Sequence, residues 1–227
     1  MKILSIDSST EKLGVAVSDQ GHTINYAHLQ ESFRHSKRII GLIDRVLKKS
    51  KTALADIDVY AIGTGPGSFT GLRIGLATIK AFAVTFAKPV VAVPSFDVIA
   101  QNVSGVDTRV QLIYDAKKEN VYYAEYFPGK GILARRGRIR LVPRKRLVSV
   151  LKKNAKIIGD GICENDLREI FKTHRLSLTP KRLWYPDIRR QAPLAWQKYL
   201  NNETVSYESL EPLYLYPHDC AVRKKNS

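Results

Sequence analysis

Apolar and polar positions fall into short strand-length runs at the start of the chain: residues 2–6 read KILSI, 13–18 LGVAVS and 23–28 TINYAH, with Asp19 and Gly21 between the last two. Alternating or β-branched runs punctuated by turn residues predict antiparallel strands. The period then changes. From 36 to 49 the residues Ile39, Ile40, Leu42, Ile43, Val46 and Leu47 recur at helical spacing, with basic residues elsewhere on the wheel, which predicts an amphipathic helix. Residues 56–65 (DIDVYAIGTG) predict a buried strand ending in glycine, 71–87 a second helix, and 89–94 (PVVAVP) another strand. The order β-β-β-α-β-α-β predicts an α/β lobe with a mixed sheet and a right-handed crossover.

The pattern returns. A shift of 108 residues lays 3–17 over 111–125, matching Asp7 with Asp115, Glu11 with Glu119 and Ala16 with Ala124. Each copy is an apolar strand ending in Asp, a polar turn and a returning strand. Each is followed later by a strand closed by Gly-x-Gly, at 61–65 (AIGTG) and 157–161 (IIGDG). Two related lobes are expected, 1–104 and 105–227, with the polar stretch 101–108 between them. The second continues through a basic segment, a helix at 164–172, a proline-bounded stretch at 180–193, a helix at 194–200 and a polar tail. This is the layout of the actin, hexokinase and Hsp70 class of ATPases. The expected fold class is therefore α/β: a two-lobed, actin-like (ribonuclease H-like) ATPase fold with mixed sheets.

Composition narrows this further. With 227 residues, 44% hydrophobic and 26% charged, the chain has enough apolar sequence for one large domain or two lobes of about 100 residues, and disordered, collagen-like and mini-protein classes are excluded. Lys and Arg number 37 against 21 Asp and Glu, a net charge of +16, which favours polyanionic partners or electrostatic steering. The first 100 residues hold 12 basic and 8 acidic residues, the rest 25 and 13, so the excess lies in the second lobe. Cys163 and Cys220 belong to no CxxC or Cys/His cluster, so neither a disulfide framework nor a structural zinc site is expected. No secretion signal opens the chain, and no stretch approaches the roughly 18 apolar residues of a membrane span. A cytoplasmic protein without membrane contact is expected.

Chemistry has three candidate locations. Asp7-Ser8-Ser9-Thr10 could offer a carboxylate to a metal and N–H groups to phosphate oxygens, or simply form a turn. Its counterpart Asp115 is followed by Ala116, Lys117 and Lys118, not by hydroxyl residues. The glycine-rich run 63–75 (GTGPGSFTGLRIG) matches neither a Walker loop nor the dinucleotide fingerprint. It provides close backbone approach, a cap from Ser68 or Thr70 and a helix N-terminus suited to anions; alternatively it is a tight strand-to-helix turn with a glycine-lined packing face. Ser68 lacks a G-x-S-x-G setting and neither cysteine has a local histidine partner, so no nucleophile is assigned.

GPGSFTGLRIG at 65–75, together with ILSIDSST at 3–10, Arg34-His35-Ser36, DIDVYAIG, IYDAKKENVYYAEYF at 113–127 and GDG, resembles the bacterial TsaB (YeaZ) family over residues 1 to about 216. The resemblance implies a non-catalytic paralogue of TsaD, the enzyme that attaches threonylcarbamoyl to the adenosine beside the anticodon in tRNAs reading codons that begin with A. TsaD-type enzymes carry two metal-binding histidines four residues apart; here Ser95 and Ile99 stand at those positions, so neither a metal site nor a catalytic residue is expected. The resemblance further implies docking of TsaD through the first two helices, with His35, Ile39, Ile43, Thr70, Arg73, Ile74, Thr78 and Ile79 as contact residues. It brings in TsaE as a third component and the family's homodimer as a second use of the same helices. Weak ATP or ADP binding by Asp7, Ser9, Thr10, Gly65, Gly67 and Ser68 stays open. The rival expectation is an active enzyme, either a sugar-kinase-like ATPase or a protease acting on a partner. A kinase would need a complete second phosphate hairpin, and a protease an oriented base.

Between Lys130 and Lys156 lie eleven Lys and Arg and no acid. A strand there would turn Arg138 and Arg140 to one face, forming either a solvated surface or an auxiliary contact with tRNA phosphates. The tail from 216 departs from the family pattern, and His218-Asp219-Cys220 cannot form an oriented triad on extended chain.

Overall fold

The computed structural model describes residues 1–30, 35–129, 131–162 and 164–216. The first lobe runs β1 (Lys2–Asp7), β2 (Lys12–Asp19), β3 (His22–Gln30), α1 (His35–Lys49), β4 (Val59–Gly63), α2 (Phe69–Phe86), β5 (Val90–Val93) and a short α3 (Ser95–Ala100). Strand β1 pairs antiparallel with β2 and parallel with β4, giving the order β3-β2-β1-β4-β5. The second lobe runs β6 (Arg109–Lys117), β7 (Asn120–Pro128), β8 (Leu133–Pro143), α4 (Leu147–Val150), β9 (Ala155–Ile158), α5 (Glu164–His174) and β10 (Leu176–Leu178), before α6 (Ile188–Leu200). Its sheet order is β10-β9-β6-β7-β8. Position for position this repeats the first sheet: a three-strand antiparallel meander, then two parallel strands added beside its first strand. The duplicated topology is that of the actin-like, ribonuclease H-like class.

Strand period decides which face each residue serves. Leu4, Ile6, Tyr60 and Ile62 point to one side of the first sheet and pack with Ile39, Ile43, Val46, Leu76 and Ile79 of α1 and α2. Their neighbours Ile3, Val59 and Ala61 point to the other side, where Ala195 of α6 covers them. This is the side-chain alternation of a sheet buried on both faces, and each fully buried Leu or Ile contributes about 1.5–3 kcal/mol.

Three expectations need correction. The chain after residue 104 does not all build the second lobe: α6 packs on the first sheet, Val205 bridges to Val90, and Leu210 lies in the first-lobe core. Helix α6 starts at Ile188, before the expected 194, because the Asp187 side chain accepts from the Arg189 N–H (3.1 Å) as its cap, and Pro193 is carried inside the helix. Finally, α2 is, over its 18 residues, long and apolar enough to cross a membrane by length and composition; here it lays Gly71, Leu72, Gly75, Leu76, Ile79 and Ala83 against its own lobe.

Candidate functional site

The glycine-rich loop and the β1–β2 hairpin are built as one unit. Asp7, at the end of β1, is 0% exposed. Its Oδ1 accepts from the Ser9 N–H (2.9 Å) and hydroxyl (2.6 Å), while Oδ2 has no hydrogen-bond partner. Burial pushes this carboxyl above its ordinary value, against the pull of the Ser9 hydrogen bonds. The Ser68 N–H donates to the Ser9 carbonyl (2.7 Å) and the Ser8 hydroxyl to the Gly71 carbonyl (2.8 Å). A Cβ on Gly67 would lie 2.1 Å from the Ser9 oxygen, and one on Gly71 2.2 Å from the Ser8 oxygen. The glycines thus let the first turns of α2 sit directly on the hairpin, with Gly71 and Gly75 one helical turn apart on the contact side. Ser68 caps α2, its Oγ accepting from the Gly71 N–H at 3.2 Å.

Between the lobes lies a cleft of about 600 Å³. Of the six candidate nucleotide residues, Ser9, Thr10, Gly67 and Ser68 line it. Asp7 and Gly65 lie beneath, and the Gly65 N–H is held by the Ser95 hydroxyl at 3.0 Å. The facing wall carries Tyr114, Asp115, Lys117, Asp160, Lys181 and Tyr185. Partial burial opposes ionisation of Asp115, but Lys117 (2.5 Å) and Arg144 (3.1 Å) outweigh it and hold the carboxyl below its ordinary value. The Tyr185 hydroxyl donates to Glu11 at 2.6 Å, linking the segment before α6 to the β1–β2 hairpin.

A nucleoside triphosphate does not fit this lining. The N–H groups of Ser9, Asp115 and Lys117, which a phosphate would need, donate instead to Asp7, Asp160 and Asp115. Glu11, Asp115 and Asp160 also outnumber Lys117 and Lys181 on the walls. Ser95 and Ile99 fall one turn apart on α3, but both are buried, and Ile99 packs in the second-lobe core. Among the described residues no group of three His, Cys, Asp or Glu is placed to hold a metal.

The helices expected to meet a partner separate into two sets. Ile39, Ile43 and Ile79 are 2%, 3% and 0% exposed; they form the first-lobe core and do not present a docking face, which corrects that expectation. Thr70 and Arg73 are exposed, and Ile74 and Thr78 half-buried. The side chain of His35 and the tail from 217, including Cys220, lie outside the described residues, as does Cys163. Sequence reasoning passed over Ile40 (57% exposed), Phe69 (52%) and Val84 (56%). Ile40 belongs to the apolar run read along α1, but it sits at the edge of the stripe formed by 39, 42, 43, 46 and 47, and the structure turns it to solvent. Beside it runs a groove of about 510 Å³ between α1, residues 51–54 and Phe82. At the head of α2, Phe69 is flanked by the Arg73 guanidinium (3.8 Å from the ring centroid) and by Tyr214.

Comparison with known proteins agrees with this architecture. A profile of the family described as TsaD, tRNA N6-adenosine threonylcarbamoyltransferase, matches residues 30–136. The tRNA threonylcarbamoyladenosine biosynthesis protein TsaB of Escherichia coli (strain K12) is 31% identical over 220 residues, covering 95% of this chain and 94% of that protein. The protein of the same name from Haemophilus influenzae is 27% identical over 229 residues, with 95% and 93% covered. In structure, YeaZ from Pseudomonas aeruginosa superimposes with a TM-score of 0.80 at 26% identity, covering 94% of this chain and 99% of that one. With this extent of likeness in sequence and fold, the chain belongs to the TsaB (YeaZ) family and takes part in tRNA threonylcarbamoyladenosine biosynthesis.

Proposed function

We propose that the protein is a non-catalytic subunit of a TsaD-containing complex, that it docks TsaD through the solvent faces of α1 and α2, and that TsaE completes the assembly. The observation that carries this reading is the outer stripe of α2. Thr70, Ala77, Ala81, Val84 and Thr85 are exposed there, with Arg73 as the one exposed charge and Lys80 half-buried, although the inner side of the same helix already serves the core. A surface helix is normally polar where it meets water. An outer face of small and apolar residues lets a second helix approach at the 8–10 Å typical of packed pairs. Ile40 and the groove beside α1 extend this surface. The match of residues 30–136 to the transferase family supports related helix pairs meeting face to face, and a homodimer would use the same surface in competition with TsaD.

The cleft supports the non-catalytic part of this reading. The N–H groups of Ser9, Asp115 and Lys117 are engaged within the protein, and the Ser68 hydroxyl on the glycine loop is used as a helix cap. Charge placed on the stripe tests the docking. Ala77→Glu with Ala81→Glu leaves the core untouched, and burying unpaired carboxylates at an interface costs at least about 2 kcal/mol. Calorimetric titration with cognate TsaD should show at least tenfold weaker binding, with a matching loss of tRNA modification in the reconstituted reaction. Undiminished affinity in a folded variant rejects the surface, and modification by this chain without TsaD rejects the non-catalytic role.

A further inference from the structure

Part of the unpaired positive charge of the second lobe lies along one sheet edge. Strand β8 is the outer strand, and its register with β7 slips between Tyr123 and Glu125. Opposite that slip Gly137 takes φ +77, a left-handed conformation that favours glycine, as in a β-bulge. Arg136, Arg138 and Arg140 consequently border one shallow depression of about 210 Å³ together with Tyr123 and Glu125. Lys152 adjoins it: its N–H donates to Gln111 Oε1 (3.1 Å), which also accepts from the Tyr123 hydroxyl (3.0 Å).

Only part of the basic segment is available to a ligand. Arg135 is bound to Asp97 (2.8 Å) and Arg144 to Asp115 (3.1 Å). Among the described residues, Arg136, Arg138, Arg140, Lys152 and Lys153 have no carboxylate within ion-pair distance. Two of these arginines lie over aromatic rings instead, Arg140 on Tyr123 (5.1 Å) and Arg136 on Phe127 (5.3 Å), and Phe127 also meets Arg109 (4.9 Å). Such stacking orients the guanidinium fork while the side chain stays exposed, and the fork matches phosphate oxygens. Edge protection against strand pairing explains one or two charges on β8, but not three unneutralised arginines around one depression.

We propose that this face binds the sugar-phosphate backbone of tRNA as a sequence-independent contact. Three guanidinium forks around one depression can each meet phosphate oxygens, and the pathway to which the chain belongs supplies the polyanion. The inference rests on that pathway membership and not on TsaD docking. It is therefore tested on the full chain alone, so that its failure is distinct from failure of the docking surface.

Fluorescence anisotropy with labelled tRNA, titrated at several salt concentrations, reads the number of phosphate contacts, at about 0.7–0.9 in log–log slope for each. Arg136→Gln with Arg138→Gln and Arg140→Gln should lower the slope by about 2, whereas Lys37→Gln with Lys49→Gln and Lys51→Gln, an equal charge loss on the other lobe, should not. The three arginines changed to lysine should keep most of the slope, and Arg138→Gln alone, at a residue with no aromatic partner, should lower it by a little under 1. An unchanged slope in the glutamine triple, an equal fall in the first-lobe control, or binding of phosphatidylserine vesicles without binding of tRNA overturns the proposal.

Discussion

Gly71 and Gly41 lie on adjacent helices for opposite reasons. A Cβ at Gly71 would stand 2.2 Å from the Ser8 carbonyl oxygen, a backbone atom that cannot rotate away, while at Gly41 nothing lies within 4 Å. Gly71→Ala therefore forces α2 off the hairpin and should cost about 3 kcal/mol, at the upper end of overpacking effects. Gly41→Ala relieves only the entropic penalty of a helical glycine and should gain about 0.5–1 kcal/mol. Urea denaturation of the two variants separates these cases, and a neutral Gly71→Ala would mean that the loop is not seated on Ser8. The sequence already offered a glycine-lined packing face as one reading of this run. What it could not supply was the surface being packed, because Ser8 and Ser9 lie some sixty residues earlier and meet the loop only through sheet topology. The Ser9 N–H, in contrast, is taken up locally by Asp7 two residues earlier, the turn that the residue types also allowed.

At the level of elements, periodicity was a reliable guide where one face was clearly apolar. Strands β1, β4 and β5 and helix α1 follow their hydrophobic runs. Helix α2 was legible as a helix but not in its orientation, because Leu, Ile, Val and Phe are spread around its whole wheel; Ile79 turned inward and Val84 outward. The first turns of α6 were hidden by Pro193, which reads as a helix boundary. That helix is fixed at its start by His28 on β3, whose Nε2 accepts from the Ile188 N–H at 3.1 Å and so must be unprotonated. Burial pushes the imidazole down to about 4; the positive charges of Lys12 and Arg189 add to this and Asp187 opposes it. Between pH 6.5 and about 4 the unfolded chain therefore binds a proton that the folded one refuses, and stability falls as the pH is lowered through that window. Denaturation at pH 7 and pH 4.5 should show this loss in the native chain and a smaller one in His28→Gln, which keeps an acceptor without the titration. Identical losses in both would remove His28 as the cause.

For the whole molecule, the repeated strand-Asp-hairpin motif made the two lobes legible, whereas the path joining them was not, since its contacts are single residues without a period. After α6 the chain crosses the front of the molecule. The Leu213 N–H donates to the Thr64 carbonyl (2.9 Å), Tyr214 accepts from Arg73 (3.3 Å), and the Tyr216 hydroxyl lies 2.8 and 2.9 Å from the Ala116 and Lys117 carbonyls. Together with the Glu11–Tyr185 bond, these contacts hold the cleft walls in their present relation. Turning them toward a triphosphate would require breaking interlobe hydrogen bonds and freeing N–H groups from Asp7, Asp115 and Asp160, each an exchange of an existing bond for a new one with little net gain. A ligand at one hundred times its dissociation constant stabilises by about 2.7 kcal/mol, which for a chain of this size raises the melting midpoint by roughly 5–10 °C. Millimolar Mg-ATP should therefore leave the midpoint of the isolated protein within about 1 °C of its unliganded value, because binding too weak to saturate adds little stabilisation. A rise of several degrees, abolished by Lys117→Ala, would show that the cleft opens into a phosphate site and would return the closed hairpin to the status of one conformer among two.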